Sequence, residues 1–142
     1  MDQFESGMRD FDISDDEEVD MSGSSASHQS ILVVEDEALV GLGMTAMLET
    51  AGFEVIGPTD NVDHAMTLLD RHHCSLAILD IKLRDGETSA RIAERLREND
   101  IPFFVVSGYL SDSQPAIFNG AQSIAKPIGA RSLVNAVQGA LS

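Results

Sequence analysis

Apolar positions are scattered up to residue 29 and strongly patterned from Ser30 onward. Ile31-Leu32-Val33-Val34 has no polar alternate, as expected of a short strand covered on both faces. Val40, Met44, Met47 and Ala51 then recur at helical spacing on one face, and Gly52 stands where glycine ends helices. Phe53 to Ile56 predicts a second strand, Pro58-Thr59-Asp60 a turn and cap, and Val62, Ala65, Met66 and Leu69 a second helix. Leu76 to Leu79 predicts a third strand ending in Asp80, and Ile92, Ala93 and Leu96 a third helix. Pro102 to Val106 predicts a fourth strand, followed by a short, Pro-interrupted helix near Ser111 to Phe118. Gln122 to Ala125 is a weak fifth strand, and Ala130, Leu133, Val134, Val137 and Leu141 pattern a final helix. There is no internal repeat. Five strands alternating with helices predict an α/β fold, a doubly wound five-stranded parallel sheet with helices on both faces. Such sheets bind ligands beyond the carboxyl ends of their strands, where strand order reverses.

The first 29 residues read differently. They hold nine of the 24 acids and one of the nine bases, a net of −8, leaving −7 for residues 30–142. Ser14-Asp15-Asp16-Glu17-Glu18 and the Ser/Gly-rich stretch Ser22 to Ser27 bury too little apolar area to offset their ordering entropy. Residues 1–29 are therefore expected to be a disordered acidic tail before a single domain at 30–142; the alternative is a short partner-binding helix around Met8 to Ile13. A net charge of −15 argues against nucleic acid and anionic membrane surfaces as partners. The single Cys74 excludes an intramolecular disulfide and suits a reducing compartment. No basic segment leads into an apolar stretch at the start, and Ala38 to Leu48 is far shorter than the roughly 20 residues of a membrane span. A cytoplasmic protein is expected.

The candidate chemistry lies at the strand ends. Strand one ends in Glu35-Asp36 with Glu37 next, strand three in Asp80, strand four in Ser107, and strand five in Lys126-Pro127. Carboxylates converging on one sheet edge repel one another and need a cation. A hard, oxygen-seeking ion such as Mg²⁺ fits such a set. A carboxylate can attack phosphorus to give an acyl phosphate, while the metal, an ammonium and a hydroxyl hold the equatorial oxygens. Singly, each residue has a plainer reading: a cap, a turn, a surface lysine, or an acidic first helical turn. Jointly, four apolar strands are each followed by one of the required groups. His72-His73 reads as a solvated helix end, Cys74 as a packed thiol, and the methionines of the first helix as core.

From about Ile31 to Leu141 the chain resembles the receiver domain of two-component response regulators. The resemblance rests on Leu32-Val33-Val34-Glu35-Asp36-Glu37, Ala77-Ile78-Leu79-Asp80, Val105-Val106-Ser107-Gly108 and Ala125-Lys126-Pro127. It implies a flavodoxin-like strand order 2-1-3-4-5 and phosphoryl transfer to Asp80 from a phosphohistidine on a histidine kinase or histidine phosphotransfer protein. It also implies Mg²⁺ held by Asp36 and Asp80 directly, by the Lys82 backbone carbonyl, and by Glu35 largely through water. Ser107 and Lys126 would contact the phosphoryl oxygens. Two positions depart from the common pattern: Arg84 stands where many receivers carry proline, in a shortened loop to Gly86, and Ser123 where the switch aromatic is usual. Ser107-Gly108-Tyr109 instead resembles a subgroup of stand-alone receivers, which makes Tyr109 the switch candidate.

The function expected is a single-domain response regulator that signals through contacts with a downstream protein, not a stand-alone enzyme. Alternatives are a pseudo-receiver adaptor that works without phosphorylation, or a phosphate sink in a phosphorelay. An aspartyl phosphatase of the haloacid-dehalogenase type would need a second Asp two residues after the nucleophile, where Lys82 stands.

Overall fold

The computed structural model describes residues 29–107 and 115–142. The acidic segment over residues 1–28, Tyr109, and Ser111 to Gln114 lie outside the described residues. Among the described residues five strands, β1 (Ser30–Val34), β2 (Glu54–Thr59), β3 (Leu76–Asp80), β4 (Phe103–Ser107) and β5 (Gln122–Ala125), alternate with four α-helices. These are α1 (Ala38–Thr50), α2 (Val62–Arg71), α3 (Ala90–Glu98) and α4 (Ala130–Leu141). All neighbouring strands pair in parallel, in the order β2-β1-β3-β4-β5. This is the expected doubly wound sheet.

The unbroken apolar runs follow from two cores. Ile31 and Val33 face one helical layer, shared with Ile78, Phe104, Met44, Leu48, Leu133 and Val137. Leu32 and Val34 face the other, with Leu79, Val105, Val62, Ala65, Ile92 and Leu96. A strand with helices on both sides has no solvent face, so consecutive positions are apolar.

Details differ from the expected pattern where neighbouring elements intervene. The buried line of α1 runs through Gly41, Met44 and Leu48, with Ala51 exposed at the helix end. Gly52, at φ +99°, closes α1 as expected: its N–H bonds Glu49 O, and Phe53 N–H bonds Leu48 O at 3.1 Å. Strand β2 does not stop at Ile56 but continues through Pro58 and Thr59, so the expected turn there is strand. Its register against β1 slips between Leu32–Ile56 and Val34–Thr59, a bulge absorbed at Gly57 with φ +96°. An edge strand tolerates Pro58 because one side has no ladder partner. The cap of α2 is Asn61, whose Oδ1 accepts the His64 N–H at 2.7 Å, rather than Asp60. Of the expected helix at Ser111 to Phe118, the described part is one 3₁₀ turn, Ala116–Phe118. Among the described residues no helix is long and apolar enough to cross a membrane.

Candidate functional site

Strand order reverses beside β1, which is followed in sequence by β2 on one side and paired with β3 on the other. The chain beyond its carboxyl end therefore lies at the crevice of the sheet. Glu35 continues the ladder one step past β1, its N–H donating to Thr59 O at 2.9 Å. This pins its side chain against the sheet, fully covered. Glu35 Oε2 accepts from Lys126 Nζ at 3.0 Å and from the Glu37 N–H at 3.1 Å, while Oε1 is buried without a partner. Burial pushes the Glu35 carboxyl above its ordinary 4.5, and the charge of Asp80 adds to this. The Glu37 amide and Lys126 pull the other way.

Lys126 leaves the end of β5 and its ammonium reaches three carboxylates: Glu35 at 3.0 Å, Asp80 Oδ2 at 3.5 Å and Glu37 Oε1 at 3.5 Å. Burial works to lower its pKa, but the Glu35 hydrogen bond and the charges of Asp80, Glu35 and Glu37 outweigh it and hold the amine above its ordinary 10.5. Asp80, the last residue of β3, keeps 13% of its side chain exposed, and its Oδ2 also lies 3.5 Å from the Asp36 N–H. Glu35, Asp80 and Lys126 are thus brought together, and Asp36 joins them through its backbone N–H. Ser107 ends β4 in register with Ala125, one residue before Lys126.

The loop after Asp80 folds as a small hairpin. Ser89 N–H bonds Ile81 O at 2.9 Å, Leu83 N–H bonds Glu87 O at 2.8 Å, and Lys82 faces Thr88 between them. These bonds flank the Lys82–Thr88 pair, making it a non-hydrogen-bonded pair, so the Lys82 carbonyl turns away from Thr88 and is not consumed by the hairpin. Arg84, at the tip, pairs with Asp60 of the neighbouring loop at 2.7 Å. Ser89 was not anticipated: a serine just before an apolar helical pattern signals a cap, yet its Oγ donates to Asp80 O at 2.6 Å.

As they stand, no three Asp, Glu, His or Cys side chains among the described residues are gathered closely enough to hold a metal; the cation among the carboxylates is Lys126. The donor set still suits a hard ion: all oxygen, with a partnerless Glu35 Oε1 and an unconsumed Lys82 carbonyl. His72 and His73 are exposed at the end of α2, and Cys74 is buried, its thiol donating to Leu76 O at 3.3 Å. Burial pushes that thiol up, as for a packed rather than a reactive cysteine. Ser123 is exposed on β5.

Residues 31–138 match the response regulator receiver domain family. The chain belongs to that family. It is similar to the transcriptional regulatory protein PdtaR of Mycobacterium tuberculosis, 28% identical over 123 residues that cover 83% of this chain and 59% of that protein. The receiver domain thus spans about three-fifths of the length of that relative. Among solved structures it resembles SdrG from Sphingomonas melonis Fr1, at 32% identity and a TM-score of 0.71, covering 82% of this chain and 98% of that one. It also resembles the BeF3-activated conformation of SdrG from Pseudomonas melonis Fr1, at 33% identity and a TM-score of 0.67, covering 80% and 96%. Receiver domains belong to two-component signalling, and they contact phosphodonor kinases and downstream proteins.

Proposed function

We propose that this receiver domain accepts a phosphoryl group on Asp80 from a phosphohistidine of a histidine kinase or phosphotransfer protein. The observation that carries the reading is the place of Asp80, at the end of the central strand β3, partly open to solvent and within 3.5 Å of Lys126 Nζ. An Asp80 carboxylate oxygen attacks phosphorus, the bond from phosphorus to the donor imidazole nitrogen breaks, and that nitrogen leaves with its electron pair and takes a proton. Asp36, Asp80, the Lys82 carbonyl and, through water, Glu35 would hold Mg²⁺, which when bound neutralises charge on the phosphoryl oxygens. Lys126, now on Glu35 and Asp80, is close enough to transfer its hydrogen bonds to the new oxygens, and Ser107, the last residue of β4, is the hydroxyl residue of the set.

The donor protein docks on α1 in this reading. Leu39 and Leu42 are 84% and 58% exposed there. The adjoining groove of Val40, Met44, Met47 and Ile128 shares Glu37 and Lys126 with the site. Output passes to a downstream protein from a cytoplasmic domain that binds no nucleic acid, with Tyr109 of the Ser-Gly-Tyr motif as the switch residue. The pseudo-receiver alternative is disfavoured because every acid and the lysine are present, and a phosphate sink would share the same acceptor chemistry. Incubation with candidate phosphodonor proteins and Mg²⁺ should label the parent and leave Asp80→Asn unlabelled with its fold intact. Undiminished labelling of the variant refutes the assignment.

A further inference from the structure

We propose that Ser89 is a positioning residue for the acceptor site, holding the backbone of Asp80 and, through the hairpin, the carbonyl of Lys82; this rests on Asp80 being the phosphoryl acceptor. Ser89 is fully buried, and its two donors go to two successive carbonyls at the end of β3. Oγ donates to Asp80 O at 2.6 Å and the backbone N–H to Ile81 O at 2.9 Å. The first is at the short end of the range for O–H···O bonds.

A serine at a helix start ordinarily turns its oxygen toward the N–H groups of its own first turn. Ser89 precedes α3 but makes no such bond. Thr88 does the local work instead, its Oγ1 accepting the Ala90 N–H at 3.3 Å. The Ser89 hydroxyl is thereby committed to the strand rather than to the helix.

The direction of the Asp80 carbonyl is set by rotation about the bonds between Asp80 and Ile81. The same rotation aims everything that follows: the Lys82 carbonyl two residues on, and the hairpin closed by Leu83 N–H to Glu87 O at 2.8 Å. Buried Leu83 and the Arg84–Asp60 pair fasten the far end of that hairpin. Removing the Ser89 hydroxyl releases the near end, where the acceptor stands. Groups that orient ligating groups in this way cost about 10–100-fold in metal affinity or activity when lost.

The test uses the full chain and four variants: Ser89→Ala, Ser89→Cys, Ser89→Thr and Thr88→Ala. Ser89→Cys keeps a side chain of similar size with a weak donor and serves if Ser89→Ala does not fold. Mg²⁺ affinity is read from amide NMR shifts, labelling rate from a small-molecule phosphodonor, and stability from thermal melts. Ser89→Ala and Ser89→Cys should bind Mg²⁺ about 10-fold more weakly and label more slowly. Ser89→Thr, which restores the hydroxyl, should recover most of both. Thr88→Ala should lose stability yet keep parental Mg²⁺ affinity. Parental Mg²⁺ affinity in Ser89→Ala or Ser89→Cys overturns the proposal, as does an equal loss in Thr88→Ala, which would make the effect one of stability alone. A parent that binds Mg²⁺ but takes no phosphoryl group defeats the acceptor reading, while the Mg²⁺ comparison still decides the role of Ser89.

Discussion

Replacing Lys126 by Met removes the single ammonium that three carboxylates share, and the consequence can be worked from the geometry. Breaking a fully buried ion pair costs about 3–5 kcal/mol. Here the Lys126 side chain is 21% exposed and two of its three contacts are at 3.5 Å, while Glu35 can take up a proton instead of remaining charged. About 2 kcal/mol at pH 7.5 in metal-free buffer is the expected loss, equivalent to a fall of about 8 °C in melting temperature for a domain of this size. The deficit should depend on pH. Glu35 already titrates above its ordinary 4.5, so between that value and its folded pKa the native state holds a proton that the unfolded chain has released. Its contribution is therefore favourable on the acid side and lost as pH rises through the folded pKa. Without Lys126 the folded pKa rises further, and the window widens. The deficit against the parent should be full at pH 7.5 and shrink as pH falls toward about 5. Added Mg²⁺ should return part of it by binding the folded state. Circular-dichroism melts of both proteins across this range make the measurement. Equal stability at pH 7.5, or a deficit of the same size at both ends of the range, would refute the reasoning.

Gly57→Ala should cost about 2 kcal/mol or more in a denaturant titration, because its φ of +96° strains an L side chain and the new Cβ would lie 3.0 Å from Val33 O and Thr59 N. Cys74 should react with a thiol reagent only as fast as the domain opens, since it is buried and its thiol is pushed above the ordinary 9.0; rapid alkylation of the native protein would contradict this. Deleting residues 1–28, a sequence with little apolar area to bury, should leave the melting temperature and Asp80 labelling near those of the parent.

The sheet was legible because burial leaves a local record. Ile31 to Val34 and Leu76 to Leu79 carry consecutive apolar residues, since each strand has a helix layer on both sides. Glu35-Asp36 and Asp80 could be placed from sequence because each directly follows such a run, and Lys126 because it follows the weaker strand Gln122 to Ala125; parallel topology brings the carboxyl ends to one edge. What the sequence leaves undecided is contact between elements far apart in the chain. That Lys126 divides its ammonium among Glu35, Asp80 and Glu37 depends on the register of β5 against β4 and β4 against β3. That β2 runs on through Pro58 depends on an edge with no further strand to refuse the proline. Ser89 is the clearest case. Its residue type and position announce a helix cap, and only the folding back of residues 81–89 places its hydroxyl on the Asp80 carbonyl. Local periodicity reports which face of an element avoids water. The direction of a polar bond is settled by whichever partner the tertiary fold brings within about 3 Å.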